Sequence, residues 1–152
     1  MIEIVSNSPS ETFDIGKLAA KYLNTPSVLA LQGTLGSGKT NLVKGIACGL
    51  GITDTLTSPT YTIINEYERP CSSSFYHVDA YRLKDDNDFE NIGGIEIINS
   101  DCICVIEWSE RLSSLPEDAL KVTLEITGHE SRRIKISGFS SVIESEIRNQ
   151  FL

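Results

Sequence analysis

A chain of 152 residues that is 40% hydrophobic and 22% charged has the size and balance of an ordinary globular domain, which excludes disordered and fibrous classes. Its formal net charge of −8 disfavours a direct nucleic-acid-binding face, because such faces neutralise phosphates with Lys and Arg. No apolar run approaches the roughly 20 residues of a membrane span, and residues 1–10 carry no basic cluster ahead of an apolar stretch, so neither a membrane segment nor a secretory leader is expected.

Residues 2–5 read as a short strand. Residues 10–14 carry helix-start side chains, and Phe13, Leu18, Ala19 and Tyr22/Leu23 then recur at helical spacing until Pro26 and Ser27 break the pattern. Residues 28–31 form a continuous apolar run, as a strand buried on both faces does. A glycine loop follows, then a helix over 39–50 closed by Gly51. Residues 55–59 are turn-like, residues 61–68 alternate as a half-exposed strand, and 69–73 read as a turn. Another strand is expected over 74–78 and a helix over 85–92, ended by Gly93 and Gly94. The acidic stretch 85–90 reads as a solvated loop and helix start, with a docking surface for a basic partner as the sharper alternative. Residues 103–106 form a second buried strand, and strands over 121–127 and 132–136 are separated by Gly128 and His129. A last helix is expected over 141–150. No repeat or linker divides the chain, so one nucleotide-binding domain over 1–152 is expected. The element order predicts an α/β fold, a P-loop NTPase-like three-layer sandwich with a mixed central sheet.

The four cysteines, Cys48, Cys71, Cys102 and Cys104, and the two histidines, His77 and His129, have no metal-ligand spacing. Cys102 and Cys104 read as small hydrophobes on a strand, and a reduced, cytoplasmic setting is the default expectation.

The segment Gly33-Thr34-Leu35-Gly36-Ser37-Gly38-Lys39-Thr40 has the Gly-x-x-x-x-Gly-Lys-Thr spacing of a phosphate loop and lies between a predicted strand and a predicted helix. The glycines let the backbone turn its amides toward one point, and those amides with the helix N-terminus bind phosphates. Lys39 is expected on the β and γ phosphates, and the Thr40 hydroxyl on magnesium. The cofactors this implies are ATP and Mg²⁺. The bland alternative is a glycine-rich turn with a chance lysine. A second magnesium-side acid belongs at the end of a buried neighbouring strand, and both Glu107 and Asp79 fit that place.

Four motifs then stand in order: the phosphate loop, Ser58-Pro-Thr-Tyr61, His77-Val-Asp-Ala-Tyr-Arg82 and Ile106-Glu-Trp108. In these the chain resembles the TsaE family, bacterial ATPases that assist threonylcarbamoylation of the tRNA adenosine next to the anticodon. The resemblance spans roughly residues 10–136. It implies a switch-like loop in which Thr60 meets the phosphate or the magnesium shell. It implies Asp79 as a catalytic or magnesium-side carboxylate, supported by Tyr81 and Arg82. It also implies Glu107 on the magnesium water shell and Trp108 close to the nucleotide. Thr34 and Asn41 stand where the family often has an acid and a second threonine, and Arg132 and Arg133 receive no role. The resemblance further implies the partner proteins TsaD and TsaB, with tRNA met only through their complex. Two other readings stay open: a small-molecule kinase, and a nucleotide-dependent binding module without hydrolysis. The kinase reading lacks an insertion long enough for an arginine-bearing lid.

Overall fold

The computed structural model of the chain describes residues 1–60, 62–70 and 72–151. Seven strands form one sheet: β1 (Ile2–Ser6), β2 (Ser27–Gly33), β3 (Ile64–Tyr67), β4 (Phe75–Asp79), β5 (Ile103–Glu107), β6 (Leu120–Ile126) and β7 (Arg132–Ser137). Their spatial order is β1-β7-β6-β2-β5-β4-β3. The central block β6-β2-β5-β4 is parallel, and β3, β7 and β1 add antiparallel edges. The helices are α1 (Pro9–Ala20), α2 (Lys39–Gly49), α3 (Asp86–Asn91), α4 (Gly94–Ile98) and α5 (Ser141–Phe151).

β2 and β5 lie inside the sheet with helices over both faces, which is why their sequences are apolar runs and not alternations. Leu29 and Leu31 of β2 and Ile103 and Val105 of β5 face one core layer with Ile15 of α1, Leu42 and Ile46 of α2, and Ile147 of α5. Val28, Cys104 and Ile106 face the other, with Phe89 of α3 and Ile98 of α4. Burying each large aliphatic side chain contributes about 1.5–3 kcal/mol. Burial also pushes the Cys104 thiol well above its ordinary range, so it behaves as the small hydrophobe expected of it.

α1 and α2 touch backbone to backbone. A Cβ at Gly45 would overlap the carbonyl oxygen of Phe13, and one at Gly16 would overlap that of Leu42. This contact fixes the axis of α2, whose first residue is Lys39.

Three local expectations need correction. The first helix starts at Pro9, with Ser8 as its cap. Ser8 Oγ accepts the Glu11 amide at 3.1 Å, and Glu11 returns a carboxylate to the Asn7 amide at 2.7 Å. A proline in the first turn starts a helix. The helix expected over 85–92 is α3 and does end before Gly93, at φ 86°, but Gly94 opens a further helix, α4, which was not expected and is too short to display a period. The strand expected over 61–68 contracts to Ile64–Tyr67, because Ile63 at φ 69° breaks the extended chain. Tyr61 lies outside the described residues.

Candidate active site

β2 runs into the phosphate loop at Gly33, and α2 leaves it at Lys39. Gly36 (φ 77°) and Gly38 (φ 98°) take the left-handed conformation that L side chains avoid. Gly38 is the cap residue of α2 and offers no side chain, so the first amides of the helix are left for a ligand. Lys39 Nζ donates to the carbonyls of Gly33 at 2.5 Å and Thr34 at 3.0 Å, and lies 4.3 Å from the centre of the Trp108 ring. Burial lowers the Lys39 ammonium from its ordinary value, and the carboxylates Glu107, Glu110 and Asp79 act against that shift.

The two acids arrive by strand alternation. On β4, Phe75, His77 and Asp79 share one face, and on β5 Ile103, Val105 and Glu107 share the same one, toward α2. The parallel register pairs Asp79 with Glu107 at the carboxyl ends of the two strands, where open α/β sheets gather their ligand-binding groups. Thr40 Oγ1, in the first turn of α2, reaches Glu107 Oε1 at 3.3 Å and Oε2 at 3.4 Å. Glu107 is only 5% exposed, and His77 Nε2 donates to its Oε2 at 2.5 Å. His77 is itself fully buried, and its Nδ1 has no hydrogen-bond partner among the described residues. Asp79 Oδ1 accepts the Tyr81 amide at 3.0 Å, and the Asp79 amide donates to Ile63 O at 2.8 Å. Ser58 and Thr60 are hydrogen-bonded to each other at 2.7 Å.

A cavity of about 410 Å³ brings together Leu35, Gly36, Ser37, Gly38, Lys39, Thr40, Thr60, Asp79, Glu107 and Trp108. Gly33 and Thr34 line a second cavity of about 500 Å³, and Trp108 borders both. Asn41, Lys44 and Ser58 also line the first cavity and were not anticipated. Lys44 stands one helical turn beyond Thr40, a spacing that could have flagged it. His77 opens the His-x-Asp-x-Tyr-Arg motif, which assigns it no role; its alternation with Asp79 on one strand face is the signal that marks it. A cavity of about 420 Å³ at the opposite end of the sheet, near Tyr22, Asn99 and Phe139, is lined by no lysine or arginine among the described residues.

Trp108, at φ 60°, ends β5 and starts a 3₁₀ turn over Ser109–Arg111, anchored by Ser109 Oγ on Leu31 O at 3.1 Å. Among the described residues, the two non-glycines with left-handed backbone, Ile63 and Trp108, flank the carboxylates, as strained residues at functional sites often do. The Tyr81 ring lies 4.9 Å from that of Trp108 and extends the aromatic wall outward.

The residues present fit a magnesium–nucleotide complex. A hydroxyl and carboxylates are the hard oxygen donors Mg²⁺ takes, and Mg²⁺ completes its shell from water and phosphate instead of a protein cage. No group of three or more His, Cys, Asp or Glu is gathered for a metal among the described residues. The loop is shaped by close approach: a Cβ at Gly33 would strike Ser37 Oγ, which is itself buried and has no hydrogen-bond partner among the described residues.

The sequence profile described as threonylcarbamoyl adenosine biosynthesis protein TsaE matches residues 6–134. The chain belongs to the TsaE family. A Treponema pallidum relative, named tRNA threonylcarbamoyladenosine biosynthesis protein TsaE, is 40% identical over 134 residues, covering 88% of this chain and 98% of the relative. The Bacillus subtilis protein of the same name is 37% identical over 138 residues, covering 90% and 85%. A crystal structure of Bacillus subtilis YdiB superposes with a TM-score of 0.78 at 30% identity, covering 98% of this chain and 95% of that one. The fold is therefore the expected P-loop NTPase-like one, with a mixed sheet between helical layers. Every candidate residue lies within the span that matches TsaE, and α5 lies outside it. No helix among the described residues is long and apolar enough to cross a membrane.

Proposed function

We propose that the chain binds ATP as its magnesium complex and hydrolyses it in support of tRNA threonylcarbamoyladenosine formation. It does so in the cytoplasm, docked on TsaD and TsaB and meeting tRNA only through them. The pathway comes from the relatives' printed names, and the two partners from the motif resemblance. The observation that carries the chemistry is the convergence of Lys39, Thr40, Asp79 and Glu107 on one cavity at the end of the parallel sheet.

In this reading the loop amides and Lys39 hold the β and γ phosphates. Thr40 and Glu107 turn oxygens toward the cation, and His77 holds Glu107 in that orientation from behind. Magnesium, when bound, neutralises charge that develops on the phosphate oxygens. Asp79, beside Glu107 in register, orients the attacking water and accepts its proton. Thr60, on the exposed loop, lines the same cavity and would meet the terminal phosphate or the water shell of the cation. The net charge of −8 accords with leaving tRNA contact to the partners.

The test is phosphate release from ATP with and without purified TsaB and TsaD. Slow release alone and faster release with the pair is expected. Tight binding without release under either condition makes the chain a non-hydrolysing module. Phosphate passed from ATP to a metabolite makes it a kinase.

A further inference from the structure

Arg132 opens β7, and its side chain crosses to the phosphate loop. Its Nε donates to Ser37 O at 2.9 Å and its Nη2 to Gly36 O at 3.1 Å. On the other side of the fork, Nη1 donates to Gly128 O at 3.2 Å, His129 O at 3.5 Å and Ser131 O at 2.8 Å. One guanidinium therefore ties the phosphate loop to the turn between β6 and β7, using backbone acceptors throughout. The neighbouring Arg133 makes ordinary surface pairs with Glu3 and Glu125.

The two loop carbonyls belong to the peptide units 36–37 and 37–38. In a planar trans peptide the C=O and N–H point opposite ways. Fastening both oxygens on the Arg132 side turns the Ser37 and Gly38 amides away from it, and the Ser37 amide then closes the loop's own turn on Thr34 O at 3.0 Å. These units sit between two glycines with positive φ, Gly36 and Gly38, whose backbone has wide freedom unless neighbours hold it. Lys39 Nζ holds the Gly33 and Thr34 carbonyls and the Ser37 amide closes its turn on Thr34 O, but the Gly36 and Ser37 carbonyls are held by Arg132. Loop segments left loose must be ordered by the ligand, at a cost to affinity.

We propose that Arg132 is a positioning residue that pre-organises the phosphate loop for a polyphosphate ligand, through its bonds to Gly36 O and Ser37 O. This rests on the nucleotide-binding reading above. The planar fork is what suits Arg132 to the task, since it reaches acceptors on both sides at once. A lysine at that position supplies charge from a single atom and cannot span the two segments. Because the bonds hold the loop and not the reacting atoms, Arg132 governs affinity more than turnover.

Two readouts test this on the full chain, with Arg132→Met, Arg132→Lys and Arg132→Ala. The first is hydrogen exchange of the amides of residues 34–38 in the nucleotide-free protein. The second is calorimetric affinity for the magnesium complex of a non-hydrolysable ATP analogue, beside turnover at saturating ATP. Arg132→Met is expected to speed loop exchange and weaken affinity roughly tenfold to a hundredfold, the scale of one or two charge-assisted hydrogen bonds. Turnover at saturation is expected to fall less than affinity. Arg132→Lys is expected to recover only part of the loss, and millimolar methylguanidinium to restore part of the affinity of Arg132→Ala. Wild-type exchange and affinity in Arg132→Met overturn the proposal. So does full recovery by Arg132→Lys, which makes charge alone sufficient, and so does lost turnover at intact affinity. If the wild type itself does not bind the analogue, the nucleotide reading fails, while the exchange comparison still decides whether Arg132 braces the loop.

Discussion

The phosphate loop and the carboxylate ledge face each other across one cavity and are built in different ways. The loop is a contiguous stretch whose ligand-facing groups are mostly backbone amides, with Lys39 held on the loop's own carbonyls. The ledge is assembled from separate segments: Thr40 on α2, His77 and Asp79 on β4, and Glu107 on β5, joined by side-chain hydrogen bonds and strand register. The contrast implies a division of labour. A preorganised nest of amides beside an ammonium attracts phosphate in the ground state. A carboxylate acts mainly where charge and proton positions change, in the transition state.

Substitutions can break that comparison at several points. The largest expected effect is that of Lys39→Ala, which removes the loop's buried cation. Binding of the magnesium–ATP analogue and turnover should both become undetectable, and wild-type phosphate release in this variant would sink the loop assignment. Next comes Asp79→Asn, which nearly preserves size and is expected to slow turnover roughly a hundredfold or more while leaving affinity within a few fold. A parallel collapse of affinity would make Asp79 a binding or folding group.

A smaller effect is expected of His77→Gln. Glutamine still donates a hydrogen bond but cannot hold the same line to Glu107 Oε2, so turnover should fall about tenfold, the scale of one charge-assisted hydrogen bond. Equal losses in His77→Gln and His77→Ala would show that the donor is irrelevant. The gentlest probe is the intrinsic emission of Trp108, the only tryptophan. Its ring lies against Lys39 and Tyr81, so drawing the ammonium toward phosphate should change the emission. A flat titration, with binding shown calorimetrically, would place the nucleotide away from this wall.

The same contrast explains what could be read from the sequence. The loop is legible because a backbone nest requires glycines at fixed spacing between a strand and a helix, all within a few residues. The buried strands were legible as apolar runs, and Asp79 and Glu107 as acids at strand ends. Their side-by-side pairing was not, since register between β4 and β5 depends on packing across the whole sheet. The contact of His77 with Glu107 follows from that register. Arg132 acts across 95 positions of chain, and no local pattern announces it. The short α4 has no period to detect, and nothing in a β-branched residue such as Ile63 signals a left-handed backbone. Tyr61, the last residue of the switch-like motif, is outside the described residues.

The most direct measurement of the division of labour is made on Glu107→Gln, since the Glu107 carboxylate meets Thr40 at the end of the loop. Calorimetric affinity for the magnesium complex of a non-hydrolysable ATP analogue is read beside turnover in the presence of TsaB and TsaD. The account predicts turnover reduced roughly a hundredfold or more with affinity held within about tenfold, because the amides and Lys39 keep their grip on the phosphates. Affinity falling in step with turnover, or wild-type turnover, would contradict it.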